Sequence, residues 1–171
     1  MLGLLRRILS GCDPKVKETA YRTLVRPKLE YACCLWNPFT KHNIYQLEMV
    51  QHRAARFVLN DYSRFSHITP MIDQLGWDSL EARRLFFQAS MFYKILMGHV
   101  GISFPPEVYE IKRATRLPNR RPFQQISVLN NIYKYSFYPR TIVTWKNLPI
   151  NDDVNKNNFK CVALAAIKSF E

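Results

Sequence analysis

Apolar residues along this chain recur mainly at spacings of three and four, and the runs are broken by proline, glycine and Asn-Pro, the pattern of successive amphipathic helices. MLGLLRRILSG predicts a short helix ended by Gly11. Asp13 followed by Pro14 is a cap with proline at the first helical position, and Val16, Ala20, Tyr21 and Leu24 then share one side. Pro27 is expected to end that helix and start the next, in which Leu29, Ala32, Cys33 and Trp36 form a face before Asn37-Pro38 stops it. Thr40 can cap a third helix with the stripe Ile44, Leu47, Val50, Ala54, Phe57 and Val58. At about 100° per residue, Arg53 and Arg56 fall just beyond the edge of that stripe, together with Asn60.

Thr69-Pro70 marks the start of a short segment stopped by Gly76. The longest predicted helix follows in WDSLEARRLFFQASMFYKILMG, capped by Asp78 or Ser79 and closed by Gly98. Ala82, Leu85, Phe86, Ala89, Phe92, Tyr93 and Leu96 make its broad apolar face, and Arg83, Arg84, Phe87, Gln88, Met91 and Lys94 make the other. Cations interleaved with aromatics suit nucleic acid, where phosphates need charge and bases offer flat apolar area. A second helix packed on that face accounts for Phe87 and Met91 equally well.

From Gly101 to about Gln125 the periodicity disappears, and KRATRLPNRRP reads as an extended basic linker. Beyond it Tyr133, Tyr135 and Phe137 alternate with Lys134 and Ser136, predicting a short half-buried strand. Pro139 can open a helical turn through Ile142, Val143 and Trp145. A polar spacer, NDDVNKNN, then leads to a final helix with Phe159, Val162, Ala166, Ile167 and Phe170 on one face. The expected fold is mainly α: a helical bundle over 1–100, a linker over 101–125, and a small C-terminal extension over 126–171 holding the strand and the last helix.

Charge changes the picture more than composition does. The chain has 25 Lys plus Arg against 13 Asp plus Glu, a formal charge of +12, which favours polyanionic partners, nucleic acid first and acidic membrane surfaces second. Between Lys112 and Lys146 there are eight basic residues and no acidic one. A hydrophobic content of 47% over 171 residues is enough to bury a real core. No apolar run approaches the roughly 20 residues that cross a bilayer, and Arg6 and Arg7 interrupt the first one. Cys12, Cys33, Cys34 and Cys161 show no metal-ligand spacing and His42, His52, His67 and His99 are scattered, so neither metal nor cofactor is expected.

Three blocks in one order then become specific: Pro27, Leu29, Tyr31 and Trp36; Gln51, Arg53, Ala54, Ala55 and Arg56; and Leu75, Gly76, Trp77, Ser79, Leu80, Arg83 and Arg84. With MFYKILMG and YKYSFYPRTIVTWKNLP after them, the chain from about Gly3 to Phe170 resembles the C-terminal part of the reverse transcriptase of non-LTR retrotransposons, LINE elements of the jockey-like and related clades. The block Trp145-Lys146-Asn147-Leu148-Pro149 departs from that family's usual Trp-Asn-x-Leu-Pro. The resemblance implies a helical thumb and a C-terminal extension that follow the polymerase palm. Polymerisation needs carboxylates holding two divalent metals. The sole Asp-Asp, Asp152-Asp153, sits in a polar spacer without flanking strands, and the chain begins with methionine where the family enters its thumb.

The expectation is therefore a fragment that is not an enzyme on its own and has no catalytic residue. It would bind RNA, DNA or their hybrid without reading sequence, in the nucleus or cytoplasm. Arg53 and Arg56 would act at the bundle edge, Arg83, Arg84 and Lys94 on the long helix, and Arg113, Arg116, Arg120, Arg121 and Arg140 beyond it. Capping and packing within the bundle is an equal alternative for Arg53. The competing reading is an interaction module, or a non-functional remnant, whose exposed apolar faces dock or once docked on the missing palm or on a second copy.

Overall fold

The computed structural model describes residues 1–105, 108, 123, 130–149 and 156–168, with nothing said of the side chains at 156–158, 160 and 168. In chain order its helices are α1 (Leu2–Ile8), α2 (Pro14–Ala20), a π-helical segment (Tyr21–Val25), α3 (Arg26–Glu30), α4 (Cys33–Trp36), α5 (Lys41–Leu59), α6 (Ile68–Leu75), α7 (Leu80–Leu96), α8 (Asn131–Lys134), α9 (Phe137–Asn147) and α10 (Lys156–Lys168). No strand occurs among the described residues. Two compact units result: Met1–Cys33 with Pro38–Glu81, and Cys34–Asn37 with Ala82–Glu171.

In the first unit the punctuation largely works as the residues dictate. Asp13 accepts from the Lys15 amide at 3.0 Å with Pro14 at the first helical position, and Thr40 accepts from the Asn43 amide at 3.4 Å. Gly76, at φ +60, closes α6 through Gly76 N to Asp73 O and Trp77 N to Ile72 O, the left-handed turn that glycine adopts without a Cβ penalty. The core joins Leu5, Tyr21, Val25, Ala54, Ala55, Phe57, Val58, Met71 and Trp77. Burying each of its larger side chains contributes about 1.5–3 kcal/mol. Tyr21 stacks on Trp77 at 4.6 Å, and its hydroxyl donates to Gln51 Oε1 at 3.1 Å. Gln51 in turn donates to the Asp78 carbonyl at 2.9 Å, so its burial is satisfied. Both Glu48 carboxylate oxygens accept amides at the start of α7, from Leu80 at 3.2 Å and Glu81 at 2.8 Å.

One expectation holds in part and one fails. Pro27 stands in the first turn of α3, as expected of a start, but the helical backbone runs into it without a stop: the π segment widens the backbone just before it, and the Arg26 amide reaches back to the Tyr21 carbonyl. A proline ring clashes with the carbonyl four residues earlier, and a widened turn is one way to absorb that clash. The face expected from Leu29 through Trp36 is broken at Ala32, which takes φ +51. Left-handed backbone at a non-glycine residue gives no signal to a reading that looks for glycine.

The second unit is built around α7. Ala82, Ala89, Tyr93, Leu148, Phe159, Ala163 and Ile167 form one cluster, and Phe92, Val108, Phe123 and Ile142 another. Trp145 packs against both. Phe159 lies parallel to Tyr93 at 4.5 Å, and Phe92 meets Phe123 edge-on at 5.0 Å. Gly98, at φ +67, closes α7 as expected.

The strand expected at Tyr133–Phe137 is a correction: these residues belong to α8, a turn and the start of α9. Asn130 accepts from the Ile132 amide at 2.9 Å and caps α8, and Pro139 is buried in the first turn of α9. Local caps and proline satisfy this backbone without the partner that a lone strand would need. The last helix forms where expected, with Phe159, Ala163 and Ile167 buried at spacings of four. Phe170, the linker arginines and Asp152-Asp153 lie outside the described residues.

Candidate nucleic-acid interface

The predicted cations fall into three groups. Arg56 closes the loop after α5, its two terminal nitrogens donating to the carbonyls of Ser63 and Ser66 at 3.1 Å each. Arg84 is fully buried in the second unit, with Nε donating to Asn37 Oδ1 at 3.0 Å, while Asn37 Nδ2 donates to Gln88 Oε1 at 3.1 Å. Arg140 donates to the Asn37 carbonyl at 2.8 Å. These three guanidinium groups hold backbone and side chains of their own units. Arg53 and Lys94 are exposed, and Arg83 is half-buried with its guanidinium 5.7 Å from the Phe87 ring centroid. Arg113, Arg116, Arg120 and Arg121 lie outside the described residues.

In the first unit the fold gathers a set that the sequence pattern does not single out. A cleft of about 350 Å³ is lined by Gly3, Arg6, Arg7, Ser10, Lys17, Phe57, Asn60 and Tyr62. Arg6 and Arg7 are exposed on α1, whereas Lys17 on α2 is only 4% exposed, with Nζ 5.5 Å from the Phe57 ring centroid. The Arg6 guanidinium lies 5.0 Å from the centroid of Tyr62. Among the described residues no carboxylate lies within ion-pairing distance of these three cations. Arg53 does not line the cleft; it is exposed on α5 one turn before Phe57, which does.

Lys17 escapes the sequence pattern for a definite reason. The buried face of α2 and the π segment is Lys17, Tyr21 and Val25, while Val16 and Leu24 are exposed. A reading that assigns apolar residues inward turns this helix by about one residue and puts Lys17 in solvent. The one signal in the sequence is that Tyr21 and Val25 follow Lys17 at spacings of four and eight.

The loop after α5 borders the cleft and is tied down. Asp61 accepts from the Ser63 amide at 2.9 Å. Its carboxyl is held below the usual range, first by the side chain of Ser66 and then by that amide. His52 is likewise lowered, by burial first and by the Arg56 charge second, so its imidazole stays neutral at ordinary pH. Tyr62 and Phe65 are left outward, 50% and 91% exposed.

Comparison with known protein families, curated proteins and solved structures finds no match. Chemistry is therefore read from the side chains alone. Among the described residues no three His, Cys, Asp or Glu come together to hold a metal, and no helix is long and apolar enough to cross a membrane. Clustered cations, a flanking aromatic loop and no neutralising carboxylate among the described residues can bind and orient an anion.

Proposed function

We propose that the chain binds RNA, DNA or their hybrid without sequence preference, through phosphate contacts, as the thumb-like part of a retrotransposon reverse transcriptase whose palm performs the chemistry. The observation that carries this reading is the cleft of the first unit, where Arg6, Arg7 and Lys17 meet without a carboxylate among the described residues, with Arg53 exposed on α5 one turn before Phe57. Lys94, and Arg83 stacked near Phe87, add exposed and half-exposed charge in the second unit. Contacts to phosphate and sugar suit a surface along which a duplex slides. Arg56 and Arg140 stay out of the interface because they already donate to carbonyls of the chain, and Arg84 because it is fully buried.

Binding of the folded chain to a labelled RNA–DNA primer-template over a salt series tests the reading. Affinity is expected to fall steeply with salt, as counterion release requires. Absence of binding at low salt by a folded protein overturns it. The second reading, a docking module, is favoured by one observation: Tyr31, Leu35, Trp36, Phe39 and Tyr45 are all exposed within a short stretch of sequence. It predicts oligomers that grow with concentration and binding that is weakly dependent on salt.

A further inference from the structure

We propose that the cleft of the first unit is a site for a terminal phosphate, the monoester dianion carried by the end of a nucleic-acid strand or by a free nucleotide. The proposal deepens the nucleic-acid reading and rests on it for the source of the phosphate. The binding chemistry rests on the cleft itself.

The deciding group is Lys17. Its side chain is 4% exposed, yet it lines a cleft of about 350 Å³ and has no carboxylate partner among the described residues. Nearly all of the residue is buried, its Nζ lies 5.5 Å from the Phe57 ring centroid, and the cleft is the opening that it lines. An anion entering the cleft meets an ammonium held in place by its buried stem, and Arg6 and Arg7 on the exposed side supply guanidinium forks that match phosphate oxygens.

Depth and charge select the kind of phosphate. A backbone diester carries one negative charge and is substituted on two sides, so it meets exposed cations such as Arg53 more readily than a buried one. A terminal monoester carries close to two charges at neutral pH and is substituted on one side, so its free oxygens can reach Lys17 while the strand stays outside. Ser10 and Asn60 add neutral donors to the lining. Tyr62, beneath the Arg6 guanidinium and half exposed, offers a flat face for the base next to that phosphate.

Calorimetric titration of the full chain tests this with inorganic phosphate, a nucleoside monophosphate and the matching nucleoside. Paired oligonucleotides, one with a terminal phosphate and one ending in hydroxyls, complete the set. The phosphorylated member of each pair is expected to bind about tenfold tighter or better, as charge-assisted hydrogen bonds allow. Lys17→Met keeps the length of the stem against Phe57 and should abolish the preference. If that variant does not fold, the double variant Arg6→Gln with Arg7→Gln, at exposed positions, should abolish it instead. A preference seen only with the mononucleotide assigns the site to free nucleotides, and one seen also with the oligonucleotide assigns it to strand ends. Equal affinities within both pairs, or a preference unchanged in the variants, overturns the proposal. Salt-dependent primer-template binding without any phosphate preference leaves the nucleic-acid reading standing and the cleft assignment fallen. Phosphate preference without primer-template binding does the reverse.

Discussion

In the first unit Arg6, Arg7 and Arg53 are exposed and Lys17 reaches a cleft unneutralised among the described residues, whereas in the second Arg84 is fully buried against Asn37 and Arg140 donates to that residue's carbonyl. The same formal charge therefore serves two purposes. A guanidinium has five donors in a rigid fork, so it can replace backbone hydrogen bonds inside a fold or meet phosphates outside it. Net charge counts both uses alike, and only burial and hydrogen-bond partners separate them. Arg56 shows that the division runs within units too, since it closes a loop three residues along α5 from exposed Arg53.

The largest test of the contrast is Arg84→Ala. It removes a buried side chain that holds Asn37 and leaves a cavity, and should cost about 2–5 kcal/mol by urea denaturation. A loss under about 1 kcal/mol would mean that the buried arginine is not structural. Gln51→Ala removes two buried hydrogen bonds, to Tyr21 and Asp78, and should cost about 2 kcal/mol in the same assay. Arg53→Ala, by contrast, should change stability by less than about 0.5 kcal/mol while weakening primer-template binding.

The smallest effect is one of pH. The folded pKa of His52 lies below its ordinary value of 6.5, so its neutral form contributes stability that is present above that value and lost as pH falls toward the folded pKa. Asp61 acts in the same direction lower down, with stability present above 3.8 and lost as pH falls through its folded pKa. His52→Gln should flatten the decline of stability just below pH 6.5, followed by urea denaturation across that range.

Helix placement is legible in the sequence where a local residue decides it: Asp13-Pro14, Thr40, Gly76 and Gly98 each mark an observed helix end. It fails where two local signals compete. The alternation through Tyr133 to Phe137 resembles a strand, but Asn130 and Pro139 commit that segment to helix. The interface is less legible still. Arg53 sits at the edge of its stripe as the spacing predicts, whereas the buried position of Arg84 depends on Asn37, 47 residues earlier. Lys17 is hidden for the opposite reason, because a helix with Val16 and Leu24 at hand is expected to bury those and not a lysine.

The central claim is that the exposed cations of the first unit grip phosphates. It is tested most directly by the slope of log affinity against log salt for a primer-template, comparing the chain with a variant carrying Arg6→Gln, Arg7→Gln and Arg53→Gln. All three positions are exposed, so the variant should keep its fold, checked by circular dichroism and urea denaturation. The account predicts a slope shallower by about 2–3, roughly 0.7–0.9 for each phosphate that the variant no longer neutralises. Parallel lines for two equally folded proteins would contradict it and move the grip to other residues.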